Sequence, residues 1–423
     1  MGNAHVNLAG ASTPEVKSQN LFRHADFMKL WTGETISEFG SKVGGVAISF
    51  LAVIALHATP AQMAALAVWR TVPALMFSLF AGVWVDRIRR RPLMIGADLA
   101  NIILLASIPA AAAFGALRIE QVYLVMFLTS FADLLFSVGY RAYLPTLVGR
   151  DAITQANSIL SATEAVAEIG AFGLAGWLVQ WLTAPIAIAT DAVSFVFSAV
   201  CLRLISQRED APTRHKDSRV AREILEGARG ILDDSRLLAV AVSAAVGAIA
   251  HGIFSTVYAL YFINELGFAP GPLGMIYATG GAASFVGAAI TTRTANRLGV
   301  GRAMTLGLAA MGAGYGLLTF AHGAGLASIA LLVSQQLIGD SFGTIYFVTQ
   351  MSFIQKVAPA DMMGRVVASV RFLGLGAGLI GSLLGALMGN LVGLRYAIGL
   401  GALLLFVAAA IVMRLEADEK SVR

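Results

Sequence analysis

A chain of 423 residues would ordinarily form two or three soluble domains, but 57% of its residues are hydrophobic and only 13% are charged. Such a chain cannot cover a water-facing surface with charge, which excludes a soluble enzyme. The 44 glycines lie within apolar runs, as is common where helices pack closely in lipid. The one cysteine, Cys201, excludes an internal disulfide and any cysteine-based metal cluster.

Apolar segments of roughly 20 residues or more recur along the chain, and each is long enough to cross a bilayer. The predicted spans are 28–56, 62–86, 93–116, 120–147, 153–182, 184–205, 237–263, 271–292, 302–322, 325–353, 362–390 and 392–413. This pattern predicts an all-α membrane protein with twelve transmembrane helices. The residues before the first span are polar and lack a signal-peptide core, so we interpret them as a tail.

Positive charges sort to one side of this layout. Of the 30 Lys and Arg, 24 fall on the side of the N-terminus, whereas Arg118 and Arg395 fall on the other. The remaining four lie within predicted spans. Since cytoplasmic loops carry the excess of Lys and Arg, both termini are predicted to lie in the cytoplasm. The net charge of +5 is thus explained by membrane topology, and we expect no nucleic-acid partner.

The two halves of the chain repeat at an offset of 210 residues. Asp86 and Asn296 follow the second and eighth spans at this offset, and Asp151 and Asp361 follow the fourth and tenth. Two independent landmarks with one offset predict a duplicated six-span unit. The predicted units are a cytoplasmic tail at 1–26, a six-helix bundle at 27–205, a cytoplasmic linker at 206–236, a second six-helix bundle at 237–413 and a cytoplasmic tail at 414–423.

The linker contains an amphipathic pattern. Val220, Ile224, Leu225 and Ile231 recur within residues 219–232 at helical spacing. The pattern predicts a helix on the cytoplasmic face of the membrane, although a mobile linker explains the composition equally well.

The loop after the second span carries five residues in a recognisable pattern: Gly82, Asp86, Arg87, Arg90 and Arg91. They resemble the G-x-L-a-D-R-x-G-R-R/K loop of the major facilitator superfamily, except that Arg89 stands where that family usually has glycine. The resemblance implies a gating role. Asp86 would cap a helix N-terminus of the other half and latch the outward-open state, and the arginines would pair with acids or lipid phosphates.

Other stretches resemble one branch of that superfamily, the drug and siderophore exporters of the macrolide-efflux and enterobactin-exporter type. They include Ser37-Glu-Phe-Gly40, Ala142-Tyr-Leu-Pro145, Gln155-Ala-Asn157 and Gly364-Arg365-Val, and the glycine-rich stretch 170–176 is similar to the antiporter motif of the branch. The resemblance implies a monomeric carrier in the bacterial inner membrane that works by alternating access.

A charge near the bilayer centre is costly, so each one needs an explanation. In the superfamily, spans one, four, seven and ten line a central cavity. Lys42, Asp133, His251 and Asp340 lie near the middle of these spans, and we predict that they converge on one void. Offsets of 209 and 207 residues would make Lys42 equivalent to His251, and Asp133 to Asp340. A packing role for His251 is the alternative.

Several of these groups share a helix face. Glu34, Glu38 and Lys42 follow each other at four-residue spacing, so Glu38 and Lys42 can form an ion pair. This pair is either a proton-sensitive switch or a device that lowers the cost of burying two charges. Asp133 and Arg141 share a face of the fourth span. Asp133 is the first candidate for the proton carrier, and pairing with Lys42 is its alternative role.

Glu164 and Glu168 are one turn apart on the fifth span, where like charges repel, so at least one is predicted to carry a proton or face a cation. Aromatic residues near the predicted cavity could line it for a bulky apolar substrate, although aromatics fill cores as readily. These candidates are Phe39, Phe136, Tyr140, Phe254, Tyr258 and Phe347.

The sequence contains no phosphate-binding G-x-x-x-x-G-K-S/T loop, so transport would draw on an ion gradient or on the gradient of the substrate itself. The predicted function is proton-coupled efflux of small amphipathic organic compounds such as drugs or siderophores, with protons and membrane lipids as further partners. An importer or facilitator of a metabolite is the alternative. A membrane-embedded enzyme or receptor is a third possibility, which the scattered histidines disfavour; no metal or cofactor is expected.

Overall fold

The computed structural model describes residues 21–85, 87–207, 209 and 220–421, and only the backbone of residues 79–80, 82–83, 150, 220–225 and 415–421. Every regular element in these ranges is a helix. The first half contains α1 (Ala25–Phe50), α2 (Pro60–Val85), α3 (Arg90–Ala113), α4 (Ile119–Val148), α5 (Ile153–Leu182) and α6 (Ala184–Leu204). The remainder contains α7 (Val220–Asp233), α8 (Ser235–Leu260), α9 (Pro270–Leu298), α10 (Val300–Leu317), α11 (Leu326–Gln335), α12 (Ser341–Val357), α13 (Met363–Leu391) and α14 (Leu394–Ser421).

Ten of the described helical stretches are long and apolar enough to cross a membrane. The predicted all-helical, multi-pass membrane fold is therefore confirmed. Two further long stretches, α2 and the stretch from α11 through α12, correspond to the second and tenth predicted spans, and their crossing of the membrane stays a prediction. A π-helical turn at Gln336–Asp340 joins α11 to α12.

The repeat extends to the backbone of individual turns. Helix starts recur at an offset of 210 residues: 25 and 235, 60 and 270, 90 and 300, 153 and 363, and 184 and 394. The ends of α1 and α8 unwind into π-helical turns at Leu51–Ala55 and Tyr261–Glu265, again 210 residues apart. Pro60 and Pro270 then begin α2 and α9, where a missing N–H costs nothing.

The linker forms a helix, α7, that packs on the second half. Glu226 forms an ion pair with Arg365 of α13 at 3.1 Å, and Ile231 is buried. Asp234 caps the next helix by accepting hydrogen bonds from the backbone N–H groups of Arg236 and Leu237. A hydrogen bond from the Arg236 side chain holds the pKa of Asp234 below its usual value. The parts of the predicted tails and linker at residues 1–20, 210–219 and 422–423 lie outside the described residues.

The two halves meet where α5 ends and α9 begins, and we call this side of the molecule the closed face. A Cβ atom on Gly176 would lie only 2.8 Å from Gly274 Cα, so the backbones of α5 and α9 touch. The backbone N–H of Gly271 donates to Gln180 Oε1 at 2.8 Å. Residues where α1 begins and α2 ends form the opposite side, which we call the N-terminal face.

Two glycines of α8 test how far close backbone contact stabilises the second half. A Cβ atom on Gly252 would overlap the carbonyl of Gly378 and lie 2.8 Å from Ser382 N, whereas one on Gly247 would meet open space. We expect Gly252→Ala to destabilise the protein by about 1–3 kcal/mol through overpacking. Gly247→Ala should be neutral or stabilising because alanine favours the helix. Thermal unfolding in detergent measures both, and equal effects would contradict the contact.

Candidate functional site

A cavity of about 500 Å³ lies in the first half, between α1, α4 and α5. Four carboxylates line it, so we call it the acidic cavity. Its lining consists of Glu34, Thr35, Ser37, Glu38, Ser41, Asp133, Phe136, Ser137, Tyr140, Arg141, Asn157, Leu160, Ser161, Thr163, Glu164 and Phe195. Five of the predicted cavity residues therefore lie together here: Glu34, Glu38, Asp133, Arg141 and Glu164.

Lys42 lies beside this cavity between two of its acids. Its Nζ is 3.2 Å from Glu38 Oε1, as the four-residue spacing on α1 predicts, and 3.9 Å from Glu164 Oε1 on α5. The Glu38 side chain is 29% exposed and the Glu164 side chain 61% exposed. Lys42 can therefore pair with either acid, and the better-shielded partner is the closer one.

Asp133 is positioned by a residue that the sequence analysis did not single out. Asn101 of α3 donates from Nδ2 to Asp133 Oδ1 at 2.8 Å. A side cavity of about 120 Å³ adjoins this pair and is also lined by Arg70 and Asp191. Asp133 thus lines both cavities, and it lies with Asn101 rather than in direct contact with Lys42. An amide within the apolar run of the third span was the signal that could have identified Asn101.

Aromatic rings form one wall of the acidic cavity. Phe136 and Tyr140 lie one turn apart on α4 with ring centroids 6.3 Å apart and planes within 12° of parallel. Both were predicted as substrate-lining residues. Their stacked faces border the carboxylates, so the cavity offers an organic ligand a flat apolar surface beside negative charge.

The other aromatic candidates lie elsewhere. Phe254 is buried and stacks on Tyr315 with centroids 3.8 Å apart, so it belongs to the core of the second half. The Tyr258 hydroxyl donates to Gln335 Oε1 within the same half. Phe39 packs in a small apolar cluster with Val43. Phe347 is 60% exposed and lines a second cavity in the second half.

The four mid-depth groups do not converge on one described cavity. His251 lines the second cavity, and Asp340 lies in the π-helical turn after α11, against Gly280 of α9. Glu168 is half-buried one turn beyond Glu164 and is not part of the acidic cavity lining. Each half has its own cavity, and His251 lies at the position of Ser41 rather than of Lys42. The predicted equivalences fail because of register. Offsets of 209 and 207 residues miss the true repeat by one and three residues, and one residue rotates a helical position by about 100°.

The described residues of the gating pattern lie at the N-terminal face, with Gly82 in α2, Arg87 exposed, and Arg90 and Arg91 beginning α3. Asp86 lies outside the described residues, so its latch role stays a prediction. Glu209 in the first part of the linker caps α3, because its carboxylate accepts hydrogen bonds from the backbone N–H groups of Arg90 at 2.8 Å and Arg91 at 3.1 Å. No sequence pattern had marked Glu209.

Comparison with known proteins agrees with this architecture. The sequence model of the Major Facilitator Superfamily matches residues 30–380. The chain belongs to this superfamily. It is a membrane transporter of a superfamily whose members bind small-molecule substrates, and membership indicates a transporter rather than an enzyme.

Among curated relatives, an uncharacterised transporter of this superfamily from Bacillus subtilis (strain 168), YfiS, is 26% identical over 398 residues, covering 92% of this chain and 93% of the relative. A second uncharacterised transporter of the superfamily, y4rN of Sinorhizobium fredii (strain NBRC 101917 / NGR234), is 28% identical over 229 residues. This match covers 53% of this chain and 56% of the relative.

Among solved structures, the nucleoside transporter NupG has a TM-score of 0.75 at 14% identity, covering 94% of this chain and 99% of its own. A bacterial homologue of the iron transporter ferroportin has a TM-score of 0.75 in its inward-facing state, at 18% identity with coverage of 94% and 99%. Its outward-facing structure has a TM-score of 0.58 at 16% identity, with coverage of 93% and 99%. These likenesses show the fold.

A double-mutant cycle tests the ion pair beside the acidic cavity. We expect Glu38→Gln and Lys42→Met to be less than additive, with a coupling energy of about 0.5–1 kcal/mol, since each removes the other's partner. Glu164→Gln is the matched control, because its longer distance and greater exposure should give a smaller coupling to Lys42→Met. Unfolding in mixed detergent–SDS micelles, followed by circular dichroism, measures both cycles. A larger coupling for Glu164 would contradict the assigned pairing.

Proposed function

We propose that the protein is a secondary active transporter that exports small amphipathic organic compounds, such as drugs or siderophores, in exchange for protons. The acidic cavity carries this proposal. Ionisable groups within membrane spans are expensive and mark substrate or proton pathways. Here four carboxylates and Arg141 line one cavity beside the stacked rings of Phe136 and Tyr140. That combination suits both a proton and an organic ligand.

Coupling would arise because proton and substrate use the same carboxylates. Protonation of Glu38 removes its attraction for Lys42, and the freed ammonium group can turn to Glu164, which is already within 3.9 Å. Loss of the proton restores a carboxylate that faces the cavity. A substrate that needs this carboxylate charged therefore binds as the proton leaves, which links the two flows in opposite directions. Asp133, held by Asn101, is the second proposed proton site.

Alternating access requires that one face of the molecule closes while the other opens. The contacts of Gly176 with Gly274 and of Gly271 with Gln180 lie at the closed face. The higher TM-score to the inward-facing ferroportin homologue, 0.75 against 0.58 for its outward-facing state, supports an inward-open arrangement. In this proposal the N-terminal face is cytoplasmic, as its arginine-rich loop before α3 suggests.

The proposed topology completes the membrane domain. With α2 and the stretch from α11 through α12 crossing the bilayer of the bacterial inner membrane, the chain has twelve spans in two six-helix bundles and cytoplasmic termini. The acidic cavity is built entirely from one half of one chain, so a monomer can form the site.

Reconstituted vesicles with an imposed pH gradient test this function. A thermal-shift panel of drugs, siderophores and sugars first selects a ligand. We expect uphill transport of that ligand against an opposing flow of protons, which a trapped pH-sensitive dye records. The triple variant Glu38→Gln, Asp133→Asn, Glu168→Gln should lose the uphill component because the proton sites are gone.

Glu120→Gln is the matched control, since Glu120 is exposed in the first turn of α4, away from the cavity, and its loss should leave transport unchanged. Uphill efflux that survives the triple variant would disprove the coupling. Transport that runs only downhill, or uphill inward with protons, would favour an importer or facilitator instead.

A further inference from the structure

The second half contains a cavity of about 460 Å³, close in size to the acidic cavity. Most of its surface is apolar, so we call it the apolar cavity. Its lining consists of Ala244, Gly247, Ala248, His251, Leu308, Met311, Tyr346, Phe347, Gln350, Met351, Ile354, Val367, Val370, Arg371, Gly374 and Leu405. A space of this volume lies in the range of small-molecule binding sites.

The two cavities are copies of one site. At the offset of 210 residues, most positions that line the acidic cavity recur in the lining of the apolar cavity. The recurring pairs are 34 and 244, 37 and 247, 38 and 248, 41 and 251, 136 and 346, 137 and 347, 140 and 350, 141 and 351, 157 and 367, 160 and 370, 161 and 371, 164 and 374, and 195 and 405. The duplicated backbone has therefore kept the cavity in both halves.

The chemistry of the copies is opposite. Each acid that lines the acidic cavity has an uncharged counterpart: Glu34 corresponds to Ala244, Glu38 to Ala248, Asp133 to Gly343 and Glu164 to Gly374. The Asn101 that holds Asp133 corresponds to Met311, which lines the apolar cavity. Of the two cavities, only the acidic cavity is thus lined by carboxylates that would stabilise a cation.

Each cavity is lined by one arginine, Arg141 in the acidic cavity and Arg371 in the apolar cavity, but only the acidic cavity is also lined by carboxylates. Ser41 and Ser161 of the acidic cavity correspond to His251 and Arg371 of the apolar cavity. The Arg371 side chain is exposed at this site. A guanidinium group stays charged at any physiological pH and repels a cation. Because no carboxylate among the lining residues offsets its charge, Arg371 discourages the charged end of a cationic ligand from entering the apolar cavity, while an apolar group can enter it.

We propose that the apolar cavity is a second binding site, which takes the uncharged apolar body of an organic cation whose charged group lies in the acidic cavity. The inference rests on the proposed function and fixes both the charge of the substrate and its orientation between the two halves. The stacked faces of Phe136 and Tyr140 add a cation–π surface to the acidic side.

Three probes separate charge from apolar bulk: 6-phenylhexyltrimethylammonium, its neutral analogue with carbon in place of nitrogen, and tetramethylammonium. Binding is measured by calorimetry on the full chain in lipid nanodiscs, with empty nanodiscs subtracted and no pH gradient. We expect the phenylhexyl cation to bind tighter than either of the other two, because it alone can use both cavities.

Variants then separate the cavities. Two separate variants, Ala248→Phe and Val370→Trp, fill the apolar cavity. Each should weaken binding of the phenylhexyl cation by about tenfold and binding of tetramethylammonium far less. The double variant Glu38→Gln, Glu164→Gln should weaken binding of both cations. Leu373→Trp is the matched control, since Leu373 is exposed on the same helix outside the cavity lining, and it should change neither.

The inference would be overturned if the filling variants retain the wild-type fold but do not weaken binding of the phenylhexyl cation. It would equally be overturned if the neutral analogue binds tighter than the cation. Binding of Mn²⁺ that competes with the phenylhexyl cation and does not respond to the filling variants would also overturn it, since the site would then serve an inorganic ion. Because no pH gradient is present, failure of proton coupling in vesicles leaves this result intact, and the two proposals fail separately.

Discussion

The cost of holding charge in a medium of low dielectric governs this molecule. A carboxylate within a membrane span must reach water or a partner of opposite charge. In the first half Lys42 lies between Glu38 and Glu164, and Asn101 donates to Asp133, so each of these acids has a polar partner beside a cavity. Grouping the acids in one cavity lets one ammonium group and one amide serve three of them. The same grouping makes the cavity sensitive to protons and to cationic ligands.

The second constraint is close packing between helices of a duplicated backbone. Helices in lipid associate through backbone contact at small residues rather than through burial of apolar surface. Gly44 of α1 leaves room for Asp191 of α6. At the equivalent contact of the second half the sizes are exchanged, since Gly401 of α14 leaves room for Phe254 of α8. The contact keeps its volume while its chemistry changes, which explains why Phe254 is a core residue.

The linker is fixed at both of its described ends. Asp26 accepts hydrogen bonds from the backbone of Ser206 and Gln207, which ties the first part to the first half. Glu226 and Arg365 tie α7 to the second half. Each end therefore moves with its own bundle, and a change in the angle between the bundles need not break these contacts. Such an arrangement suits the rocking of two rigid halves about a central site.

The sequence by itself determined the membrane class, the positions of most helices, the repeat and the pairing of Glu38 with Lys42. These follow from apolar run length, from recurring landmarks, and from the geometry of a single helix, all of which are local properties of the chain. Four-residue spacing also placed Glu34, Glu38 and Lys42 on one face of the first helix.

Only the tertiary structure decided which faces of different helices meet. It placed Asn101 on Asp133 and Glu209 on the start of α3, and it separated His251 and Asp340 from the acidic cavity. A register error of one to three residues was enough to misalign the halves, since each residue turns a side chain by about 100° around its helix. The difference in charge between the two cavities became visible only when the packed helices placed most lining positions of both cavities in the 210-residue register.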